Sequence, residues 1–174
     1  MNRRRWPNPI PSTWRCVPDR VLVLGQTLEV LATASDNDAG QILTYELGAG
    51  APPGVVIDPS TGRLTWTPSS AFTTNELTVT VTDSGRPRLS ASRSFSVTVL
   101  PPPQLLNLAL EGTTFTFSFA GLNGQTYQLE YKNDLNEPLW LPLGSAIPGT
   151  GAFLTLTDDV SLSSARFYRL RLLP

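Results

Sequence analysis

The sequence predicts an all-β chain made of two tandem β-sandwiches joined by a proline-rich linker. Three observations predict it. Apolar residues recur at every second position in short runs, as at Leu77, Val79 and Val81 or Phe115, Phe117 and Phe119. That is the period of a strand with one buried face, and no helix-length window repeats apolar residues at spacings of three and four. The 16 Pro and 13 Gly punctuate these runs and form no low-complexity tract. Midway, Pro101-Pro102-Pro103 cannot donate to a sheet and favours a stiff extended chain, so it reads as a semi-rigid hinge. A chain of 174 residues then divides comfortably into two domains of roughly 90 residues each.

Residues 1–16 are interrupted by proline, show little periodicity and are expected to be a flexible tail. Their arginine-rich start lacks the apolar stretch and small-residue cleavage site of a signal peptide. Strand signals begin at Arg20-Val21-Leu22-Val23-Leu24, and Gly25-Gln26 turns the chain. Leu28, Val30, Ala32 and Ala34 then share one face. A polar loop at Asp36-Asn37-Asp38-Ala39-Gly40 leads to a strand at Leu43–Leu47. The passage from Gly50 to Pro68 is the densest in the chain. Pro52 fixes its own φ, Gly54 admits a positive one, and Asp58-Pro59-Ser60-Thr61-Gly62 is a turn built on an aspartate that can bond its own backbone. Leu64 and Trp66 alternate with Arg63, Thr65 and Thr67 on the outgoing strand. Alternation from Leu77 to Thr82, a turn at Asp83-Ser84-Gly85-Arg86-Pro87 and a strand over Ser94–Val99 complete about seven short strands. Such a count with frequent turns is expected of an immunoglobulin-like sandwich spanning residues 17–100.

Beyond the linker at residues 101–104, the second sandwich covers residues 105–174. Leu106, Leu108 and Leu110 alternate, then Phe115, Phe117 and Phe119, and Gly121-Leu122-Asn123-Gly124 carries an Asn-Gly turn. Tyr127, Leu129 and Tyr131 face one way, with Gln128, Glu130 and Lys132 on the opposite face. Further strands are read at Leu139-Trp140-Leu141, at Leu154 and Leu156, and at Arg166–Leu172. In the last, Tyr168, Leu170 and Leu172 point inward and Arg169 and Arg171 outward.

Composition narrows the function. A net charge of −1 offers no field for nucleic acid or an anionic membrane. No apolar run approaches the roughly 18–20 residues of a membrane helix. The absence of histidine, with Cys16 as the one cysteine, removes the commonest general base and zinc ligand, so no catalytic residues are assigned and the chain reads as a non-enzyme. Cys16 itself is read as a small buried hydrophobe.

Residues Val17 to Val99 resemble the family called Putative Ig domain, of the cadherin-like superfamily, found in large bacterial surface proteins. The resemblance rests on Gly25-Gln26-Thr27-Leu28, Ala34-Ser35-Asp36-Asn37-Asp38, Leu43-Thr44-Tyr45, the passage Gly50–Pro68 and Thr78-Val79-Thr80-Val81-Thr82-Asp83. It implies a secreted or cell-surface spacer or adhesion domain without enzymatic activity. Its partners would be other domains of a larger surface protein, or a protein or glycan ligand. The chain is expected to be monomeric. The second half is similar to fibronectin type III-like domains that end exported proteins, through Tyr127-Gln128-Leu129-Glu130-Tyr131, Trp140 and Arg166–Arg171.

No cofactor is required; calcium is the one metal the pattern raises. Asp36 and Asp38 match an Asp-x-Asp element that binds calcium in true cadherin repeats, and Asp83 matches a third ligand position. Three departures weigh against a full cage. Leu24 stands where calcium-binding relatives carry glutamate, the acidic motif after the Trp66 strand is missing, and prolines replace the acidic linker. On the opposing reading these aspartates cap turns through side-chain to backbone hydrogen bonds. Trp66 and Trp140 are the candidate sugar-stacking platforms of a second functional class, a carbohydrate-binding accessory of an exported hydrolase, although their apolar surroundings favour core packing. Arg169 and Arg171 on one strand face offer a small anion patch, with cross-strand pairing to acids such as Glu130 the favoured reading.

Overall fold

The computed structural model describes residues 17–36, 40–162 and 165–173. The expectations for residues 1–16, including Cys16, and for Asp38 therefore lie outside the described residues. The rest is all-β, and the chain divides into two compact units at Pro101/Pro102.

In the first unit the described strands are β1 Arg20–Val23, β2 Leu28–Leu31, β3 Thr44–Leu47, β4 Val56–Ile57, β5 Arg63–Trp66, β6 Thr73–Thr82 and β7 Ser90–Leu100. One sheet runs β1-β7-β6-β3 and the other β2-β5-β4. The apolar positions of both sheets meet in a single core. Leu28, Val30, Leu64 and Trp66 come from one sheet, and Leu22, Tyr45, Leu77, Val79, Val81, Phe95, Val97 and Val99 from the other. Each fully buried aliphatic side chain here contributes roughly 1.5–3 kcal/mol. On the outer face of β6 and β7 the other half of the alternation forms hydroxyl pairs. Thr78–Ser94, Thr80–Ser92 and Thr82–Ser90 each meet at 2.8 Å.

The passage from Gly50 to Pro68 folds as its residues demand. Asp58 accepts hydrogen bonds from the Ser60 and Thr61 amides at 2.9 Å each, which closes the turn. Gly62 takes φ +73°, and a Cβ there would lie 2.4 Å from the Ala32 carbonyl oxygen. Only glycine fits. Trp66 is buried, and its indole Nε1 donates to the Pro53 carbonyl at 3.2 Å, tying the proline turn to the core.

In the second unit the described strands are β8 Leu106–Glu111, β9 Thr114–Ala120, β10 Thr126–Lys132, β11 Leu141–Pro142, β12 Ile147–Pro148, β13 Phe153–Asp159 and β14 Phe167–Leu173. One sheet runs β13-β9-β8. In the other, β14 pairs along the whole of β10, while the short β11 and β12 pair with its two ends. Phe117 and Phe119 are fully buried, 5.3 Å from the Tyr168 ring and 5.0 Å from the Tyr127 ring across the two sheets.

Three features of this unit go beyond the alternation read from the sequence. The leucines of β8 alternate yet stay exposed, because β8 is an edge strand with a register shift between Leu106 and Ala109, where Asn107 adopts φ 50°. Leu139-Trp140-Leu141 is not a core strand: Leu139 and Leu141 are exposed and Trp140 is half-buried. The polar face of β10 is not open to water, since Gln128, Glu130 and Lys132 are all buried.

Candidate functional site

The buried polar face of β10 gathers ionisable groups from two strands. Register places Arg169 directly opposite Glu130 on β14 and Arg171 opposite Gln128. Glu130 thereby receives two guanidinium groups. Arg169 donates to its Oε2 at 2.6 Å and Arg171 to its Oε1 at 3.1 Å. Cross-strand pairing is the role the sequence anticipated for these arginines. The Arg169 guanidinium also lies 4.5 Å from the centre of the Trp140 ring, and the Lys132 ammonium lies 5.2 Å from it. Lys132 additionally donates to the Glu137 carbonyl, and Gln128 Nε2 donates to the Leu129 carbonyl at 2.8 Å. Each polar head is held by a partner, as burial requires.

A second cluster links side chains at the end of β13 and the start of β14 across the two sheets. Asp158, buried, accepts from Arg166 Nη1 at 2.6 Å and from the Tyr168 hydroxyl at 2.7 Å through the same Oδ2. The Arg166 guanidinium packs 4.5 Å from the Tyr131 ring centre. Burial, reinforced by the bond to Asp158, pushes the Tyr168 phenol well above its ordinary range. The bond to Asp158 raises Arg166 as well. A phenol that holds its proton this firmly and an arginine locked on a carboxylate supply neither base nor nucleophile at neutral pH.

Two of the three calcium candidates, Asp36 and Asp83, lie among the described residues. Asp83 is buried, and its Oδ1 accepts from the Gly85 amide at 3.0 Å and the Leu89 amide at 2.9 Å. The Asp83 amide in turn donates to the Leu89 carbonyl at 3.0 Å. The carboxylate is thus the organiser of the turn between β6 and β7. Asp36 is half-buried beyond β2. The Ile42 amide donates to Ser84 Oγ at 3.0 Å, so the connection from β2 to β3 meets the connection from β6 to β7. Among the described residues no three acids, cysteines or histidines are grouped as metal ligands, and Asp38 is not among those residues.

Of the two tryptophans weighed as sugar platforms, Trp66 belongs to the core. Trp140 is the one at the surface, and it lies against cations. Sequence reasoning anticipated the pairing of Glu130 with the arginines but missed the place of Trp140 and Lys132 beside them, because these join through long-range contacts. The alternation of Glu130 and Lys132 against Arg169 and Arg171 was the available signal.

The profile of the family described as Putative Ig domain matches residues 11–100. The chain belongs to that family. The Putative Ig domain thus accounts for the first unit, and the seven described strands of that unit carry the two facing sheets of an Ig-like sandwich. No curated protein matches the sequence. Among solved structures, the chain is similar to extracellular cadherin domains 3–6 of protocadherin gamma B2. There the identity is 16% and the TM-score 0.47, over 96% of this chain and 52% of that one. It is also similar to the eight N-terminal Ig domains of Down syndrome cell adhesion molecule, at 14% identity and TM-score 0.45 over 92% of this chain and 26% of that one. Human cadherin-23 domains EC21–23 align at 19% identity and TM-score 0.43, covering 90% of this chain and 60% of that one. The chain therefore spans about a quarter to three-fifths of the length of these structures.

Proposed function

We propose that this chain is a non-catalytic spacer or adhesion module of a bacterial surface or secreted protein, with a fibronectin type III-like second unit after the Putative Ig domain. Its partners are other domains of the same protein, or a protein or glycan ligand. The observation that carries the reading is the pairing of the first unit's first and last strands. β1 runs parallel to β7, from Arg20 opposite Val97 to Val23 opposite Leu100. The Leu24 amide extends the contact to the Leu100 carbonyl at 2.8 Å, and Asp19 Oδ1 accepts the Ser96 amide at 2.8 Å at the other end. In a parallel pair the chain enters at one pole and leaves at the other. Tension along the chain then loads these bonds together, in shear, instead of opening them one at a time. That suits an element that transmits force between its neighbours.

Pulling the full chain by its two ends in a single-molecule experiment tests this. The first unit is expected to yield at higher force than the second, whose first and last strands, β8 and β14, lie in different sheets. Yielding of the first unit at equal or lower force overturns the reading.

On this reading Asp83 serves its turn, and calcium at Asp36, Asp38 and Asp83 is not needed to stiffen the unit. The carbohydrate-binding alternative is favoured by one observation, the half-buried Trp140. Titration with soluble oligosaccharides, followed by tryptophan fluorescence in the natural chain and in Trp140→Ala, tests it. Saturable quenching lost in the variant supports the alternative, and its absence from the natural chain removes it.

A further inference from the structure

We infer that the flank of the second unit between the edge strands β8 and β14 takes up an extended strand of another polypeptide, one whose residues alternate between apolar and acidic. The inference goes beyond the spacer reading and does not depend on it.

Topology defines the flank. β12 and β13 are joined by residues 149–152. The Gly149 amide donates to the Gln125 carbonyl at 2.8 Å and the Gly151 amide to the Gly121 carbonyl at 2.7 Å. These bonds fix that connection at the ends of β9 and β10, so β12 and β13 lie on one side of the sandwich and β8 and β14 on the other. Among the described residues β14 pairs only with β10, and β8 only with β9. Each therefore presents one backbone edge that no described strand covers.

The core is open on the same flank. Tyr127 and Leu129 on β10 are 2% and 1% exposed, whereas their direct neighbours on β14, Leu172 and Leu170, are only half-buried. One strand spacing takes the same apolar row from buried to half-buried. Across the opening, Leu108 and Leu110 of β8 are each 60% exposed. A strand added to the edge of β14 would cover both rows with its alternate side chains, the geometry of strand addition to a sheet edge.

Charge selects the occupant. On the outward face of β14, Arg169 and Arg171 share the one carboxylate of Glu130, which leaves a positive charge in excess, and their side chains are 45% and 52% exposed. A second copy of the chain pairing through β14 about Leu170 would set Arg169 against Arg171, and like charges directly opposite destabilise a ladder. An incoming strand with glutamate or aspartate at its outward positions meets the arginines favourably.

The test uses the full chain and two synthetic peptides matching β14 in length, one alternating valine with glutamate and one alternating valine with lysine. Binding is read by NMR as hydrogen-exchange protection of the β14 amides. The glutamate peptide should protect alternate amides from Phe167 to Leu173 and bind about fivefold or more tightly than the lysine peptide. Arg171→Glu should reverse that preference. Should that variant unfold, Arg171→Ala keeps the Arg169–Glu130 pair and should reduce the preference, while Leu110→Ser should weaken both peptides. Three results overturn the inference: no protection at β14, equal affinity for the two peptides, or protection that grows with protein concentration in the absence of peptide, which assigns the flank to a second copy.

Discussion

Replacing Asp83 by alanine should cost the first unit about 2–5 kcal/mol. Asp83 is 5% exposed, and its Oδ1 accepts two backbone amides, Gly85 at 3.0 Å and Leu89 at 2.9 Å. A hydrogen bond to a charged acceptor is worth about 1.5–3 kcal/mol, and deleting the acceptor strands both donors, of which the exposed turn lets water recover part. At about 4–8 °C per kcal/mol for a domain of this size, the midpoint should fall by about 8–40 °C. Asp83→Asn keeps a carbonyl oxygen in the same place without the charge and should lose only about 1–2 kcal/mol. Calorimetry of the full chain in chelator measures both variants, with hydrogen exchange at the Leu77, Val79 and Val81 amides identifying the transition of the first unit. An alanine variant as stable as the natural chain, or an asparagine variant as damaged as the alanine one, would refute the turn assignment.

Gly62→Ala should destabilise the first unit by at least about 2–3 kcal/mol in urea titration, because φ +73° and a Cβ 2.4 Å from the Ala32 oxygen both oppose it. Gly54→Ala, at φ +84° with nothing closer than Trp66 Cδ1 at 4.0 Å, should cost only about 1 kcal/mol. Tyr168→Phe keeps the stack on Phe115 at 5.2 Å but loses the bond to Asp158, so about 1–2 kcal/mol should go from the second unit, with the first unit's transition unmoved. Asp58 is held below its ordinary value of 3.8 by the Thr61 and then the Ser60 amide. A carboxylate depressed by folding stabilises above its unfolded pKa and loses that contribution as pH falls through the folded one. Melting midpoints of the natural chain should therefore drop more steeply below pH 3.8 than those of Asp58→Asn, and parallel curves would contradict this.

The first unit was legible because its information is local. The Asp58 turn, the glycine at position 62 and the alternation through Leu64 and Trp66 each dictate backbone within a few residues, and the buried face follows. Asp83 was legible as a turn former for the same reason, since its partners are two and six residues away. The second unit was read less well because its decisive contacts are long-range. Glu130 meets Arg169 across 39 positions as alternation suggested, but nothing near Glu130 announces that the segment around Trp140 will also close over its face. Alternation identified β8 as a strand but could not tell an edge from a centre, and its leucines stay exposed.

Asp83, one of the carboxylates that resemble metal ligands, serves the turn between β6 and β7. A ligand that binds only the folded state raises the melting midpoint in proportion to the logarithm of its concentration. Melting the full, unaltered chain in excess calcium and again in chelator is the most direct test. Turn-forming aspartates predict the same midpoint in both solutions. A first-unit midpoint that climbs with calcium, and stops climbing in Asp83→Asn, would contradict the account and assign Asp83 to a metal.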